Sequence, residues 1–366
     1  MPQRRLRFHS DSPYGRLIGV GGIGTGIFFA LEGDHTLGRN ESRPARLLDI
    51  RDYCKLHIIS HYMAVLLGAD PSGLPFHVVP IGKVGDDERG HRMLKEMSAV
   101  GMDIGRVEMV KDRPTLFSVC FQYPNGEGGN LTTTQSAASE LTAEDVAHAS
   151  SLFAADAVRS MALAAPEVSL DARHRLLELA TASQAFRAAA LTSSEMVTAL
   201  RQGFFSLVDL VSINEDEAGA LTGRVFDPAD PFLFLDACSN VLIGCQPSMR
   251  IVISAGKHGA FAFSGGVWDY CPAAPATVVG TAGAGDALLG AILSALAVGM
   301  PLICPGSPRK SITERPLGSA LDFAVLLASF TITSPHTIHP NANLETLLQF
   351  AGELGVTFSD AVRRHL

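Results

Sequence analysis

The chain has 366 residues, of which 29 are basic and 37 acidic, so its formal net charge is −8 at pH 7. This acidic balance, without any strongly basic block, disfavours nucleic acid as a partner. Hydrophobic residues make up 47% of the chain and charged residues 18%, which is typical of a globular protein with one large or two small domains.

The cysteines and the apolar segments predict a cytoplasmic protein. Six cysteines are scattered without a CxxC pair or a Cys/His ligand spacing, which favours reduced thiols over disulfides or structural zinc. The basic start is followed by a mostly apolar run over residues 17–31. That run contains five glycines and lacks a small-x-small cleavage site, so we do not expect a signal peptide. No unbroken apolar segment is long enough to predict a membrane span.

The first predicted strand covers residues 16–20 and runs into a glycine-rich segment. Gly19, Gly21 and Gly24 satisfy the GxGxxG spacing of a dinucleotide site, so a Rossmann oxidoreductase is an alternative interpretation. A crossover helix should follow that motif, yet the pattern breaks at Gly33 after barely two turns. The context therefore argues against dinucleotide binding.

The next segment predicts a polar loop and then a helix. Residues 32–52 are polar and rich in turn formers, and residues 53–67 have the composition of a largely buried helix. His57 and His61 lie four residues apart on it, which can be a metal-ligand spacing. Because no acid lies nearby on that helix, ordinary packing is the favoured interpretation.

A strand at residues 76–81 and a hairpin follow. The segment 82–90, GKVGDDERG, opens a helix with acids in its first turn and Gly101 as its stop. Residues 116–123 alternate like a strand, and after a turn at 124–127 the pattern resumes at 130–134.

The second half predicts a parallel sheet. Helical stretches alternate with short apolar strands at residues 157–162 and 185–191. A strong strand at 207–213 then leads into Asn214 and Glu217, which open a helix. Polar side chains at the carboxyl end of a parallel strand lie where ligands bind, although a simple capping box has the same spacing.

The most informative stretch covers residues 278–299, VVGTAGAGDALLGAILSALAVG. Four small residues precede a single acid, Asp286, and an apolar run of about 13 residues predicts a buried helix. Small residues at a helix start leave the first N–H groups uncovered, and with the helix dipole these form an anion site. An acid there would repel a bound phosphate. We therefore interpret Asp286 as a base that takes a proton from a hydroxyl attacking phosphorus, with an aspartate-capped turn as the alternative.

The remaining segments predict a strand, an insertion and a final helix. Residues 250–254 form the strand, and residues 304–316 form an irregular insertion that is expected to be solvated. Residues 317–330 form an apolar helix, and residues 331–341 form a terminal loop.

Three motifs in this order resemble those of the ribokinase-like (PfkB) carbohydrate kinase family. Asn214 and Glu217 are similar to its NxxE motif, and residues 254–259 are similar to TxGxxG with Ser254 in place of Thr. The third is its signature DTTGAGDxFxGA, in which Gly280 replaces the first Asp. The matching signature residues are Thr281, Gly283, Ala284, Gly285, Asp286, Gly290 and Ala291.

The resemblance implies an α/β fold, namely a three-layer α/β/α sandwich with a mostly parallel central sheet and a small β lid. It implies one kinase domain over residues 1–366, with lid segments at about 27–52 and 114–135. It further implies an ATP-dependent kinase that uses Mg²⁺ and phosphorylates a hydroxyl of a sugar or sugar-like small molecule.

The same resemblance assigns roles to individual residues. Asp286 is the expected catalytic base, and Asn214 and Glu217 are expected to place Mg²⁺ and the phosphates through water. The expected anion hole consists of Ala282, Gly283, Ala284 and Gly285. The expected nucleotide contacts are Asn214, Glu217, Ser254, Gly256, Gly259, Thr281 and, at the adenine, Val325.

The substrate half departs from the family pattern. Relatives carry an Asn and an Asp after the first strand, where this chain has Gly24 and Gly26, and a GGxxxN segment where this chain has residues 51–57, RDYCKLH. We hypothesise that Asp52, Lys55 and Asn40 take over the acceptor contacts. Because potassium-activated relatives have an Asp at the position of Gly280, we do not expect activation by potassium.

Two other functions stay open at this point. A non-catalytic ribokinase-like protein that binds a nucleotide or metabolite would explain the altered substrate half, and a nucleoside kinase is a variant of the same chemistry. Lid-to-lid dimers occur among relatives, so a homodimer through the lid is a further expectation by analogy.

Overall fold

The computed structural model describes residues 4–124, 128–154, 159–306 and 309–366. The strands in these ranges are β1 (Arg16–Val20), β2 (Gly24–Leu31), β3 (Ala45–Tyr53), β4 (His77–Gly85), β5 (Val107–Val110), β6 (Leu116–Gln122), β7 (Gly128–Thr132), β8 (Ser160–Ala164), β9 (Phe186–Ala190), β10 (Leu210–Asn214), β11 (Arg250–Ser254), β12 (Ala260–Ser264) and β13 (Val267–Cys271). The helices are α1 (Lys55–Leu67), α2 (Glu88–Ala99), α3 (Ala143–Ala147), α4 (Ser151–Ala154), α5 (Leu170–Ala182), α6 (Met196–Arg201), α7 (Glu215–Thr222), α8 (Phe232–Cys245), α9 (Ala284–Val298), α10 (Ala320–Thr331), α11 (Leu344–Glu353) and α12 (Asp360–Arg363).

The central sheet has nine strands in the order β13-β12-β11-β10-β9-β8-β1-β4-β5. The strands from β5 to β11 in this order run parallel, and β12 and β13 add an antiparallel edge. Neighbouring side chains of a strand point to opposite faces. Leu210 accordingly joins the core formed by α1, α9 and α10, whereas Val211 joins the core on the other face with α8. The predicted three-layer, mostly parallel α/β fold is confirmed.

A second, four-stranded sheet in the order β3-β2-β6-β7 lies beside the carboxyl end of β1. Strand β2 pairs antiparallel with β3 and parallel with β6. The glycine-rich segment after β1 therefore leads into β2. The Rossmann alternative requires a crossover helix at this place, so the structure argues against it. These strands fall within or overlap the two segments expected to form the lid.

Several element boundaries differ from the sequence-based predictions. The strand predicted at 207–213 begins only at Leu210, because residues 204–207 form a short 3₁₀ helix that buries Phe204 and Phe205. Helix α1 begins at Lys55 rather than at residue 53, because Tyr53 still pairs with β2. Residues 155–158 and 125–127, which include parts of a predicted strand and of a predicted turn, lie outside the described residues.

The insertion at 304–316 was expected to be solvated, and for Arg309 that expectation is wrong. Arg309 is buried and pairs with Asp322 of α10, which is itself fully buried. Helix α10 begins at Ala320, later than predicted, because the Ser319 side chain caps it by accepting from the Asp322 N–H.

Among the residues described above, no helix is both long and apolar enough to cross a membrane.

Candidate active site

Helix α9 begins at the glycine-rich turn of the signature. Gly283 is its N-cap with φ 82°, in the left-handed region that favours glycine. A Cβ atom on Gly283 would also lie 2.2 Å from the carbonyl oxygen of Thr337, so no larger residue fits. The amides of the first turn lack intrahelical acceptors, and Asp286 is the acidic residue within that turn. The turn therefore carries both an anion-binding end and a carboxylate.

Asp286 lies in a cluster of charged side chains drawn from separate elements. The Lys55 Nζ, at the start of α1, lies 3.9 Å from Asp286 Oδ1 and 3.9 Å from Glu217 Oε1 of α7. The backbone N–H of Lys55 donates to Glu167 Oε2 (3.2 Å) in the loop after β8. Of these side chains, Asp286 is 13% exposed and Glu217 8%, whereas Lys55 is 30% exposed. The ammonium group thus lies within 4 Å of two largely buried carboxylates.

Burial raises the pKa of every carboxyl in this cluster. The pKa of Asp286 is raised by burial, and the Lys55 ammonium opposes the shift. Burial raises the pKa of Glu217 above its ordinary value and that of Glu167 to about 8, and the charge of Asp286 adds to both. The pKa of Lys55 is raised chiefly by Asp286. The carboxylates therefore disfavour each other's ionisation, and Lys55 is the neighbouring charge that favours it.

A cleft of about 490 Å³ opens in front of Asp286. One wall comes from the loop after β11 and another from α10. It is lined by these predicted site residues: Lys55, Asn214, Ser254, Gly256, Gly259, Thr281, Gly283, Ala284, Gly285, Asp286 and Val325. Ala328 and Ile332 extend the apolar wall begun by Val325, and they had no signal in the sequence analysis. A larger cavity of about 700 Å³ adjoins the cleft and shares Glu215, Gly256 and Lys257 with it.

Asn214 and Glu217 form the capping box that the sequence left as an alternative. The Asn214 N–H donates to Glu217 Oε2 (2.9 Å), and the Glu217 N–H donates to Asn214 Oδ1 (2.8 Å). The second carboxylate oxygen of Glu217 remains directed at the Lys55 Nζ. Capping therefore fixes the two side chains and leaves one hard oxygen donor beside Asp286, which suits Mg²⁺ held through water.

Asp52 reaches the cluster from the lid strand β3. It pairs with Gly26 of β2, and a Cβ atom on Gly26 would lie 2.3 Å from Asp52 Oδ2. The Asp52 carboxylate thus fills the space that a side chain at position 26 would need. Burial raises its pKa to about 6, and the negative charge of Asp286 adds to the shift. Asp52 therefore shares the electrostatic environment of Asp286.

Three other residues complete the comparison with the sequence. Asn40 is an exposed turn residue with φ 60° and does not line the cleft, so the structure does not bring it to the other candidates. Ala282 belongs to the turn but is not among the lining residues. His57 is buried, and the centre of its ring lies 4.7 Å from that of Tyr53. Across the described ranges no group of three or more His, Cys, Asp or Glu side chains could hold a metal ion.

Glu167 is a member of the cluster that the sequence analysis missed. It follows β8 by three residues, at the same edge of the sheet as Asn214, and has φ 74°. The rule that picked out Asn214, a polar side chain after a parallel strand, would have found Glu167 as well.

Comparisons with known proteins bear on the family and the fold of the chain. The family model described as pfkB family carbohydrate kinase matches residues 63–344. Over 260 residues the chain is 26% identical to the bifunctional ribokinase/ribose-5-phosphate isomerase A of Fructilactobacillus sanfranciscensis, a match that covers 70% of this chain and 45% of that protein. The chain thus spans less than half the length of this relative.

Solved structures share the fold over nearly the whole chain. The nucleoside kinase of Burkholderia thailandensis in complex with inosine has a TM-score of 0.69 at 15% identity, covering 93% of this chain and 99% of that one. The ribokinase of Arabidopsis thaliana with ribose and ATP has a TM-score of 0.62 at 16% identity, covering 93% and 98%. Since the family model matches more than half of the chain, the chain belongs to the pfkB carbohydrate kinase family, a family of phosphotransferases that act on an alcohol group.

Proposed function

We propose that the protein transfers the γ-phosphoryl group of ATP to a hydroxyl of an uncharged, sugar-like acceptor, with Asp286 as the general base. One observation carries the proposal. The Asp286 carboxylate lies in the first turn of α9, 3.9 Å from the Lys55 ammonium, and it lines the cleft.

The cleft offers separate surfaces to the parts of a nucleotide. Val325, Ala328 and Ile332 supply an apolar wall for the base, and the loop that contains Gly256 and Gly259 approaches from the other side. Mg²⁺, when bound, neutralises charge on the phosphates, and Asn214 and Glu217 would hold it through water.

The protein's own groups carry the proton and charge steps. Asp286 accepts the proton of the attacking hydroxyl, and its raised pKa makes it a stronger base than an exposed aspartate. The Lys55 ammonium favours the ionised form of this carboxylate before the acceptor arrives. The N–H groups of Gly283 and Gly285, which line the cleft, and the helix dipole stabilise negative charge on the transferred group.

The charges around Asp286 select the kind of acceptor. Asp286 and Asp52 accept hydrogen bonds when ionised, and Lys55 is the cation within 4 Å of Asp286 in the described ranges. Glu167 adds no charge near neutral pH, because burial raises its pKa to about 8. An anionic group about 4 Å from one of these carboxylates would be opposed by about 4 kcal/mol at an effective dielectric constant of about 20. A neutral molecule with several hydroxyls therefore fits, and sugar acids and sugar phosphates do not.

A nucleoside kinase is a second candidate, because a nucleoside also presents neutral ribose hydroxyls and because one structural neighbour is a nucleoside kinase with inosine. An ADP-production screen over neutral sugars, polyols, nucleosides, sugar acids and sugar phosphates separates these candidates. We expect turnover with a neutral polyol that is lost in Asp286→Asn. Failure to form ADP with any of these acceptors would favour the non-catalytic alternative, and preference for a sugar acid or phosphate would refute the charge argument.

A further inference from the structure

The terminal loop after α10 binds the free edge of the lid strand β3 on both sides of Asp52. The Thr337 N–H and the Thr337 hydroxyl both donate to the Arg51 carbonyl, at 3.1 and 3.3 Å. The same hydroxyl accepts from the Tyr53 N–H (3.1 Å). The Nδ1 atom of His336 accepts from the Arg51 N–H (3.0 Å). Because β3 is an edge strand, these contacts satisfy backbone groups that would otherwise be free.

The same loop packs on the anion-hole turn. The carbonyl oxygen of Thr337 occupies the space in front of Gly283, where a Cβ atom would approach within 2.2 Å. The N–H groups of Val279 and Gly280 donate to the Ile332 carbonyl at 2.8 and 3.3 Å. Thr337 itself is 2% exposed. A buried residue thus contacts the strand that carries Asp52 and the turn that precedes Asp286.

We propose that Thr337 is a positioning residue, which fixes Asp52 of the lid relative to Asp286 and so sets the affinity for the acceptor. This inference rests on the proposed function. The Thr337 hydroxyl acts through the backbone of β3, because its two partners flank Asp52 and neither is a side chain. Loss of the hydroxyl leaves the partly buried Tyr53 N–H without its partner, and β3 can then shift together with the Asp52 carboxylate.

Thr337→Val removes the hydroxyl and keeps the shape, whereas Thr337→Ser keeps the hydroxyl. We expect Val to raise the acceptor KM by about tenfold, the loss that one buried hydrogen bond predicts, while the KM for ATP stays near wild type. Ser should restore the acceptor KM. Thr333→Val is the matched control, because the Thr333 hydroxyl donates to the Phe330 carbonyl in the last turn of α10 and not to β3.

The outcomes separate the inference from the proposed function. If the wild type is active and Thr337→Val has an unchanged acceptor KM, or if the KM values for ATP and acceptor rise together, the inference is wrong and the kinase proposal stands. If the wild type phosphorylates no acceptor, the proposed function fails and the inference falls with it. Should Thr337→Val fold poorly, His336→Ala tests the same contact from a partly exposed residue, and we expect a smaller rise in acceptor KM alone.

Discussion

Replacement of Lys55 by methionine tests how the cluster keeps its base ionised. Methionine preserves most of the length of the side chain and removes its charge. The Nζ atom lies 3.9 Å from both Asp286 and Glu217, a distance worth about 4 kcal/mol for each pair at an effective dielectric constant of about 20. Lys55 is 30% exposed, so water screens these interactions, and we take roughly a third of that value for Asp286. This corresponds to about one pKa unit.

The sign of the effect follows from the charge that is lost. Without the ammonium the protonated form of Asp286 is favoured, and its pKa rises. As the pH is lowered, the carboxylate therefore takes up its proton, and stops acting as a base, at a higher pH than in the wild type. The acid limb of the kcat/KM profile should therefore move to higher pH by about one unit. At a fixed pH on that limb, kcat/KM should be about tenfold lower than in the wild type. Because the carboxylates interact, the limb belongs to the cluster as a whole.

The assay is the pH dependence of kcat/KM, measured by ADP release with the best acceptor from the screen. Lys55→Arg keeps the positive charge and should leave the limb near its wild-type position. Lys95→Met is the surface control, because Lys95 is an exposed residue of α2. An acid limb that does not move in Lys55→Met would show that Lys55 does not set the ionisation of the base.

Two further predictions concern Glu167 and potassium. The pKa of Glu167 is about 8 in the folded state, against an ordinary value of 4.5. Between these pH values the native state holds a proton that the unfolded state has lost. The stability that this carboxyl contributes is therefore lost as the pH rises from 4.5 to 8. Glu167→Gln should therefore raise Tm relative to wild type by roughly 2 °C or more at pH 8, with little gain at pH 5; an equal gain at both pH values would contradict the assigned pKa. Exchange of sodium for potassium should leave the rate unchanged, because Gly280 supplies no carboxylate to hold a monovalent cation. A steep rise in rate with potassium would refute this.

The fold and the nucleotide half of the candidate site could be predicted because their signals are local. Asp286, its glycine-rich turn and the apolar helix follow one another in sequence, and the Asn214–Glu217 pair is a short capping motif. The structure brings these segments together because each lies at the carboxyl end of a parallel strand or at a helix start facing that edge.

The acceptor half could be predicted only in part, because its contacts join distant segments. The sequence singled out Asp52 and Lys55, but the fit of Asp52 against Gly26 depends on strand register. The contact of Thr337 with β3 spans 284 residues between Tyr53 and the loop, and nothing in the local pattern marks it. The burial of Arg309 was missed for the same reason, since its partner Asp322 lies on a separate helix.

The base role of Asp286 is tested most directly by Asp286→Asn, which keeps the size of the side chain and removes its capacity to accept a proton. Single-turnover rates with the acceptor should fall by about 10²–10⁴, while the affinity for ATP, measured separately by binding, should change little. A variant that retains the wild-type rate, with ATP bound as before, would contradict the assignment of Asp286 as the general base.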